Sequence, residues 1–155
     1  ARALDEARDL VETVASEFGT HFGRPKVGAL EVSGNPQADT ALVTIGTIGE
    51  SALELLGEGD GELLLVRVHA YRPFPAERLA SLLAHASHVA VVDRAPAFGG
   101  LGPLGNDVRS LGFDAVDVVC GLGGTEVTPD SLRWVLREAL AAKSRRAPVY
   151  VPEEV

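Results

Sequence analysis

From position 3 the chain places an apolar residue every three or four positions: Leu4, Ala7, Val11, Val14 and Phe18. Asp5, Glu6, Asp9, Glu12 and Glu17 fill the other faces, so residues 3–18 predict an amphipathic helix. Gly19 reads as its C-cap. From Thr20 to Pro36 the composition turns to Gly23, Pro25, Gly28, Gly34 and Pro36, with one short extended piece at Val27–Val32. That is a connector, and it puts a boundary near Gln37, with a helix and connector over 1–36 and a domain over 37–155.

Beyond the boundary the pattern changes to short continuous apolar runs alternating with amphipathic ones. Ala41–Ile45, Glu62–Val68, His88–Asp93 and Ala115–Cys120 predict four buried strands. Glu50–Leu56, Ala76–Ala86 (Leu79, Leu82 and Leu83 on one side) and Leu104–Leu111 predict the helices between them. A last helix opens at Thr128-Pro129-Asp130, where an N-cap threonine, a proline at the first helical position and an acid in the first turn fall together. Its stripe is Leu132, Leu136, Ala139 and Leu140. The class is α/β, a mostly parallel open sheet of four to five strands with helices on both faces, preceded by the amphipathic helix. Ligands and partners of such sheets lie at the carboxyl ends of the strands, where the strand order reverses. A 2-1-3-4 order puts that crevice between the first and third strands, lined by Gly46–Gly49 and by the stretch Val89–Gly105.

Composition narrows the choice of partner. A net charge of −8 argues against a phosphate-backbone partner, which needs a basic face. Lys143, Arg145 and Arg146 cluster at a helix end, where cations complement the dipole. At 155 residues with 46% hydrophobic content there is enough chain for one domain with a core. No apolar run is long enough to span a bilayer, and the polar, acidic start is unlike a signal peptide. The single cysteine excludes an internal disulfide and a cysteine-ligated cluster held by this chain alone, and a reducing, cytoplasmic home is expected. The absence of methionine, even at position 1, fits a processed start or a piece of a larger polypeptide.

Several motifs bear on chemistry. Gly100-Leu101-Gly102-Pro103-Leu104-Gly105 matches G-x-G-x-x-G, but Arg94–Gly99 separate it from its strand, and the dinucleotide fingerprint needs its first glycine directly after the strand. Gly59-Asp60-Gly61 resembles the opening of a thiamin diphosphate motif without the downstream asparagine, and reads as a surface turn. His85 and His88 have no carboxylate or cysteine at zinc spacing, and no G-x-S-x-G elbow occurs, so no metal ligand or catalytic residue is assigned. Cys120 ends an apolar strand and reads as a small buried hydrophobe. Tyr71-Arg72-Pro73-Phe74-Pro75 follows the second strand directly. Its arginine is expected near Asp93, or on a partner's carboxylate; otherwise this is a rigid strand-to-helix turn. The candidate edge-loop residues are Arg72, Phe74, Asp93, Arg94, Gly99, Gly100 and Gly102.

Tyr71–Pro75 (YRPFP), Val91–Gly105 (VVDRAPAFGGLGPLG) and Gly121–Pro129 (GLGGTEVTP) resemble, in the same order, stretches of the 2-oxoacid:ferredoxin oxidoreductases, in particular the C-terminal region of the pyruvate:ferredoxin oxidoreductase alpha chain. Ala41–Glu50 (ALVTIGTIGE) also matches. The resemblance spans essentially residues 1–145 and implies a transketolase C-terminal-type fold. It implies an enzyme that oxidatively decarboxylates a 2-oxoacid to an acyl-coenzyme A, with thiamin diphosphate, magnesium and iron–sulfur clusters held by other domains or subunits, and that passes electrons to ferredoxin. For this chain it implies a non-catalytic interface role, with no cofactor bound by the chain itself. Only Gly57–Gly61 joins the first helix of the repeat to its second strand, a trimmed crossover. The alternatives are a free-standing nucleotide- or coenzyme A-binding module using the glycine loop, and a dimerisation domain of another transketolase-like enzyme.

Overall fold

The computed structural model describes residues 2–57, 62–98, 100–141 and 148–152. The turn at Gly59-Asp60-Gly61, Gly99 and the basic cluster at 143–146 lie outside them, as does most of the trimmed crossover. The order along the chain is α1 (Arg2–Phe22), β1 (Leu30–Gly34), β2 (Thr40–Ile45), α2 (Ile48–Leu53, extended by a 3-10 turn over Glu54–Gly57) and β3 (Leu63–Val68). There follow α3 (Ala76–Leu83), β4 (His88–Asp93), α4 (Pro103–Ser110), β5 (Ala115–Val119), α5 (Pro129–Ala141) and β6 (Val149–Tyr150).

The six strands form one sheet in the order β1-β3-β2-β4-β5-β6, in which only β1 runs antiparallel. The four strands expected from the apolar runs are β2, β3, β4 and β5, and their order is the expected 2-1-3-4. The strand at 30–34 falls in the stretch that composition marked as connector, yet all of it pairs with β3, from Leu64 to Val68. Its alternation explains this: Leu30 and Val32 face one side of the sheet, while Glu31 lies opposite Arg67 of β3 and pairs with it at 2.6 Å. The two-residue β6 has no counterpart in the sequence reading, being too short to show a period.

Period-two alternation sorts the strands into two cores. On one face Ala41, Val43, Leu64, Val66, Val89, Val91 and Ala115 pack under Leu79 and Leu83 of α3 and Leu104 and Val108 of α4. On the other, Leu42, Leu65, Ala90, Val92, Val116 and Val118 pack under Ile48 and Ala52 of α2 and Leu132, Val135 and Ala139 of α5. Each fully buried aliphatic side chain contributes on the order of 1.5–3 kcal/mol. Helix α5 opens as its sequence predicts: Thr128 Oγ1 accepts the backbone N–H of Ser131 at 3.1 Å.

Helix α1 corrects one expectation. It does not end at Gly19 but continues to Phe22, and Gly23, with φ +62°, takes the left-handed position that stops it. Gly19 is small for another reason: the returning chain crosses it, so that a Cβ there would stand 3.0 Å from the Arg24 carbonyl oxygen and 3.5 Å from the Lys26 Cα. Glu12 ties α1 to the body, accepting from the N–H of Ala29 at 2.9 Å and from Arg78 of α3 at 3.0 Å.

Candidate functional site

The carboxyl ends of β2, β3, β4 and β5 lie along one edge, and every stretch that carried the resemblance meets there. β4 ends in Asp93, which is buried, and β5 carries Asp117, fully buried, between Val116 and Val118. Both carboxyls reach the first turn of α4. Asp93 accepts the N–H groups of Leu104 (3.1 Å) and Gly105 (2.9 Å), and Asp117 accepts that of Gly102 (2.5 Å). These are backbone donors that a helix leaves unpaired at its start.

The glycine pattern follows from that arrangement. A Cβ on Gly102 would stand 2.2 Å from Asp93 Oδ2, and one on Gly105 would stand 2.5 Å from Asp117 Cγ. The two glycines leave room for two carboxylates. In a dinucleotide fold the glycines of G-x-G-x-x-G leave room for a pyrophosphate at the same helix end. Here that end is filled from within, by two acids that would repel a phosphate.

The acids also influence each other. Burial, then the neighbouring charge and hydrogen bond of Asp93, push Asp117 up to about 6, against the pull of the Gly102 N–H and of Arg109. Burial raises Asp93 too, held back by the N–H groups of Gly105 and Leu104 and by a hydrogen bond from Asp117. The two acids titrate as a coupled pair beneath the start of α4. Asp117 was not singled out from the sequence; an acid at an inward position of an otherwise apolar strand, AVDVV, was the available signal.

On the neighbouring strand end, Tyr71-Arg72-Pro73-Phe74-Pro75 is fastened to α4. The Arg72–Pro73 peptide is cis. Tyr71 donates its hydroxyl to Asp107 at 2.6 Å, and Arg72 donates to the same oxygen at 2.8 Å. The guanidinium of Arg72 lies 3.9 Å from the centre of the Tyr71 ring, and Phe74 meets that ring edge-on at 6.0 Å. Burial and the Asp107 carboxylate push the Tyr71 phenol up to about 12. The carboxylate that Arg72 finds is therefore Asp107, while Asp93 faces inward toward the amino end of α4. Arg72 still leaves more than half of its side chain in solvent.

Arg94, one residue past the end of β4, reaches across the crevice where the strand order reverses. Its Nη2 donates to Thr47 Oγ1, just past the end of β2, at 3.0 Å. A Cβ on Gly121, beyond β5, would lie 3.6 Å from its Nη1. No carboxylate of the described residues lies within ion-pair distance of Arg94. The loop then turns at Ala97–Leu101, closed by the Ala97 N–H on the Leu101 carbonyl at 2.9 Å. It buries Leu101 and holds Phe98 wholly in solvent. Gly100 has open space around it. Cys120 is buried, and burial raises its thiol, so it behaves as the small core residue expected.

A second charged group escaped the sequence reading. Arg67, inside LLLVRV, is 7% exposed and clamped at 2.6 Å by both Glu31 and Glu50, joining β1, β3 and α2. Among the described residues no three His, Cys, Asp or Glu side chains group as metal ligands, and no helix is long and apolar enough to cross a membrane.

The family described as pyruvate:ferredoxin oxidoreductase core domain II matches residues 38–132, more than half of the chain. The chain belongs to that family. It is 31% identical over 141 residues to pyruvate synthase subunit PorA of Methanothermobacter thermautotrophicus, covering 88% of this chain and 37% of the relative. With the PorA subunit of Methanocaldococcus jannaschii it shares 32% identity over 149 residues, 91% of this chain and 38% of the relative. Ketoisovalerate oxidoreductase subunit VorA of Pyrococcus horikoshii is 28% identical over 147 residues, covering 89% and 37%. The chain thus spans a little over a third of the length of these relatives. As a core domain II, it is a domain of a 2-oxoacid:ferredoxin oxidoreductase, with the transketolase C-terminal-like fold that the sequence suggested.

The chain has one cysteine, buried, where a cysteine-ligated cluster takes four thiolates. At the amino end of α4 the backbone donors are taken by Asp93 and Asp117.

Proposed function

We propose that this chain serves a thiamin diphosphate-dependent 2-oxoacid:ferredoxin oxidoreductase as a non-catalytic interface domain, packing beside the parts that carry out the chemistry. The observation that carries this is the division of labour along the carboxyl edge. The helix end suited to a diphosphate is occupied by the chain's own carboxylates, whereas Arg94 and Phe98 on the same edge face outward. An aromatic ring and a guanidinium are the side chains that most often anchor protein contacts.

In this reading Arg94 and Phe98, with Arg72 and Gly100 at the margin, meet another domain or subunit of the enzyme. Asp93, Phe74 and Gly102 hold the edge in shape; Gly99 lies outside the described residues. Thiamin diphosphate, magnesium and the iron–sulfur clusters belong to those other parts, coenzyme A is a substrate of the whole enzyme, and ferredoxin takes its electrons. A single cysteine suits a reducing, cytoplasmic setting. The relatives include both a pyruvate synthase and a ketoisovalerate oxidoreductase, so the acid handled is a 2-oxoacid whose side chain is read elsewhere.

Reconstitution tests the proposal. The chain, mixed with the remaining domains or subunits, should restore coenzyme A-dependent reduction of a viologen dye by a 2-oxoacid. Full turnover without it, or no association at micromolar concentration, would overturn the reading.

A further inference from the structure

Helix α1 turns much of its apolar stripe to solvent. Leu4, Leu10, Val14, Phe18 and Phe22 are each half or more exposed, and the rings of Phe18 and Phe22 stack on one another 4.5 Å apart. Leu10, Val14 and Phe18 form one wall of a groove of about 760 Å3, and the returning segment Arg24-Pro25 with Val27 forms the other. An i, i+4, i+8 ridge beside a groove is the surface that helices use to pack on one another.

Charge specifies what fits. Glu6, Leu10, Thr13 and Glu17 fall at i, i+4, i+7 and i+11, so the outer lip of the groove carries two acids, Glu6 and Glu17, on either side of Leu10 and Thr13. The opposite wall ends in Arg24. A second copy of α1 is a poor occupant, since packing about a two-fold axis would lay the lip that carries Glu6 and Glu17 against its own copy, acid against acid. An anionic membrane surface is disfavoured for the same reason. We infer that the groove seats an amphipathic helix from another part of the same oxidoreductase, apolar face inward, with lysine or arginine toward Glu17 and a carboxylate toward Arg24. This rests on the interface reading above and adds a second surface, separate from the one at Arg94 and Phe98.

The test co-expresses the full chain with the remaining subunits of the enzyme and measures their association at low and high salt. Val14→Asp and Phe18→Asp, both at exposed positions, should leave the circular dichroism spectrum and melting unchanged and weaken association about tenfold or more. Glu17→Lys should weaken it several-fold at low salt and reduce its salt dependence. If these variants associate like wild type while Phe98→Ala does not, the α1 surface is wrong and the edge reading survives. A chain that sediments alone as a dimer, split by Val14→Asp, would make a second copy the occupant and overturn the inference. If wild type fails to associate at all, the interface reading falls and this inference with it.

Discussion

Asp93 and Asp117, on adjacent strands, meet beneath the first turn of α4 and between them accept three of its backbone N–H groups. The anion that a doubly wound sheet ordinarily borrows from a nucleotide is here part of the chain. Burial and their mutual proximity favour the protonated form of these acids, and this gives the helix a dependence on pH. Asp117 rises to about 6 in the folded chain from an ordinary value near 3.8. A raised acid is stabilising while protonated, so its contribution is complete below about pH 4 and is lost as the pH climbs through about 6. The expected loss between those limits is on the order of 2–3 kcal/mol, and Asp93 adds to it in the same direction. Asp117→Asn keeps an acceptor for the Gly102 N–H and removes the charge. Urea unfolding at acid and neutral pH should show the wild-type decline flattened in the variant; parallel profiles for the two proteins would contradict the raised Asp117.

How much of this was legible in the sequence differs from one residue to the next. Continuous apolar runs separated by helical stripes specified the parallel sheet, because a strand buried on both faces has little other composition available; its 2-1-3-4 order was a supposition that no local pattern encodes, and the structure has it. The same habit of reading hid Asp117 and Arg67. Each is a charged residue within a run otherwise apolar, and its partners, Asp93 and Gly102 for one, Glu31 and Glu50 for the other, are distant in sequence. The glycine motif was visible letter for letter, and its distance from the strand argued against a dinucleotide. What it holds instead depends on a side chain from β5, which no local pattern reveals. Arg72 was placed on the correct edge, but its carboxylate came from the middle of α4 rather than from the end of β4.

Gly102 and Gly105 should tolerate no side chain. Their backbones are ordinary, but a Cβ at either overlaps a carboxyl group with no room to retreat. Gly102→Ala and Gly105→Ala should each cost about 2–3 kcal/mol, as overpacking does in a filled core. Gly100→Ala, with open space around it, should stay within about 0.5 kcal/mol of wild type. Thermal melts followed by circular dichroism would check the contrast, and equal melting for Gly100→Ala and Gly102→Ala would refute it.

Arg67 makes a different kind of demand. Removing it leaves Glu31 and Glu50 facing one another across the space it filled, although Glu50 is largely in solvent and recovers water. Arg67→Ala should destabilise by roughly 2–4 kcal/mol, less than the full penalty of orphaning two wholly buried charges. Arg67→Met should recover part of this by refilling the volume. The urea midpoint reports both, and an unchanged midpoint for Arg67→Ala would mean the clamp contributes nothing.

The outward side chains of the carboxyl edge should behave in the opposite way to the core. Leu79 is fully buried between α3 and the sheet, and Leu79→Ala should cost about 2–5 kcal/mol in urea unfolding. Phe98 touches too little of its own chain to matter for folding, so Phe98→Ala should leave the urea midpoint in place. Arg94→Ala loses a single hydrogen bond to Thr47, about 0.5–1.5 kcal/mol. With the rest of the enzyme present the order should reverse: Phe98→Ala and Arg94→Ala should weaken association by at least about tenfold, the size of one hot-spot loss. Folded Leu79→Ala chain should associate normally. If Phe98→Ala and Arg94→Ala bind the partner subunits as wild type does, the edge is merely surface, and the resident carboxylates at α4 have no contact to support.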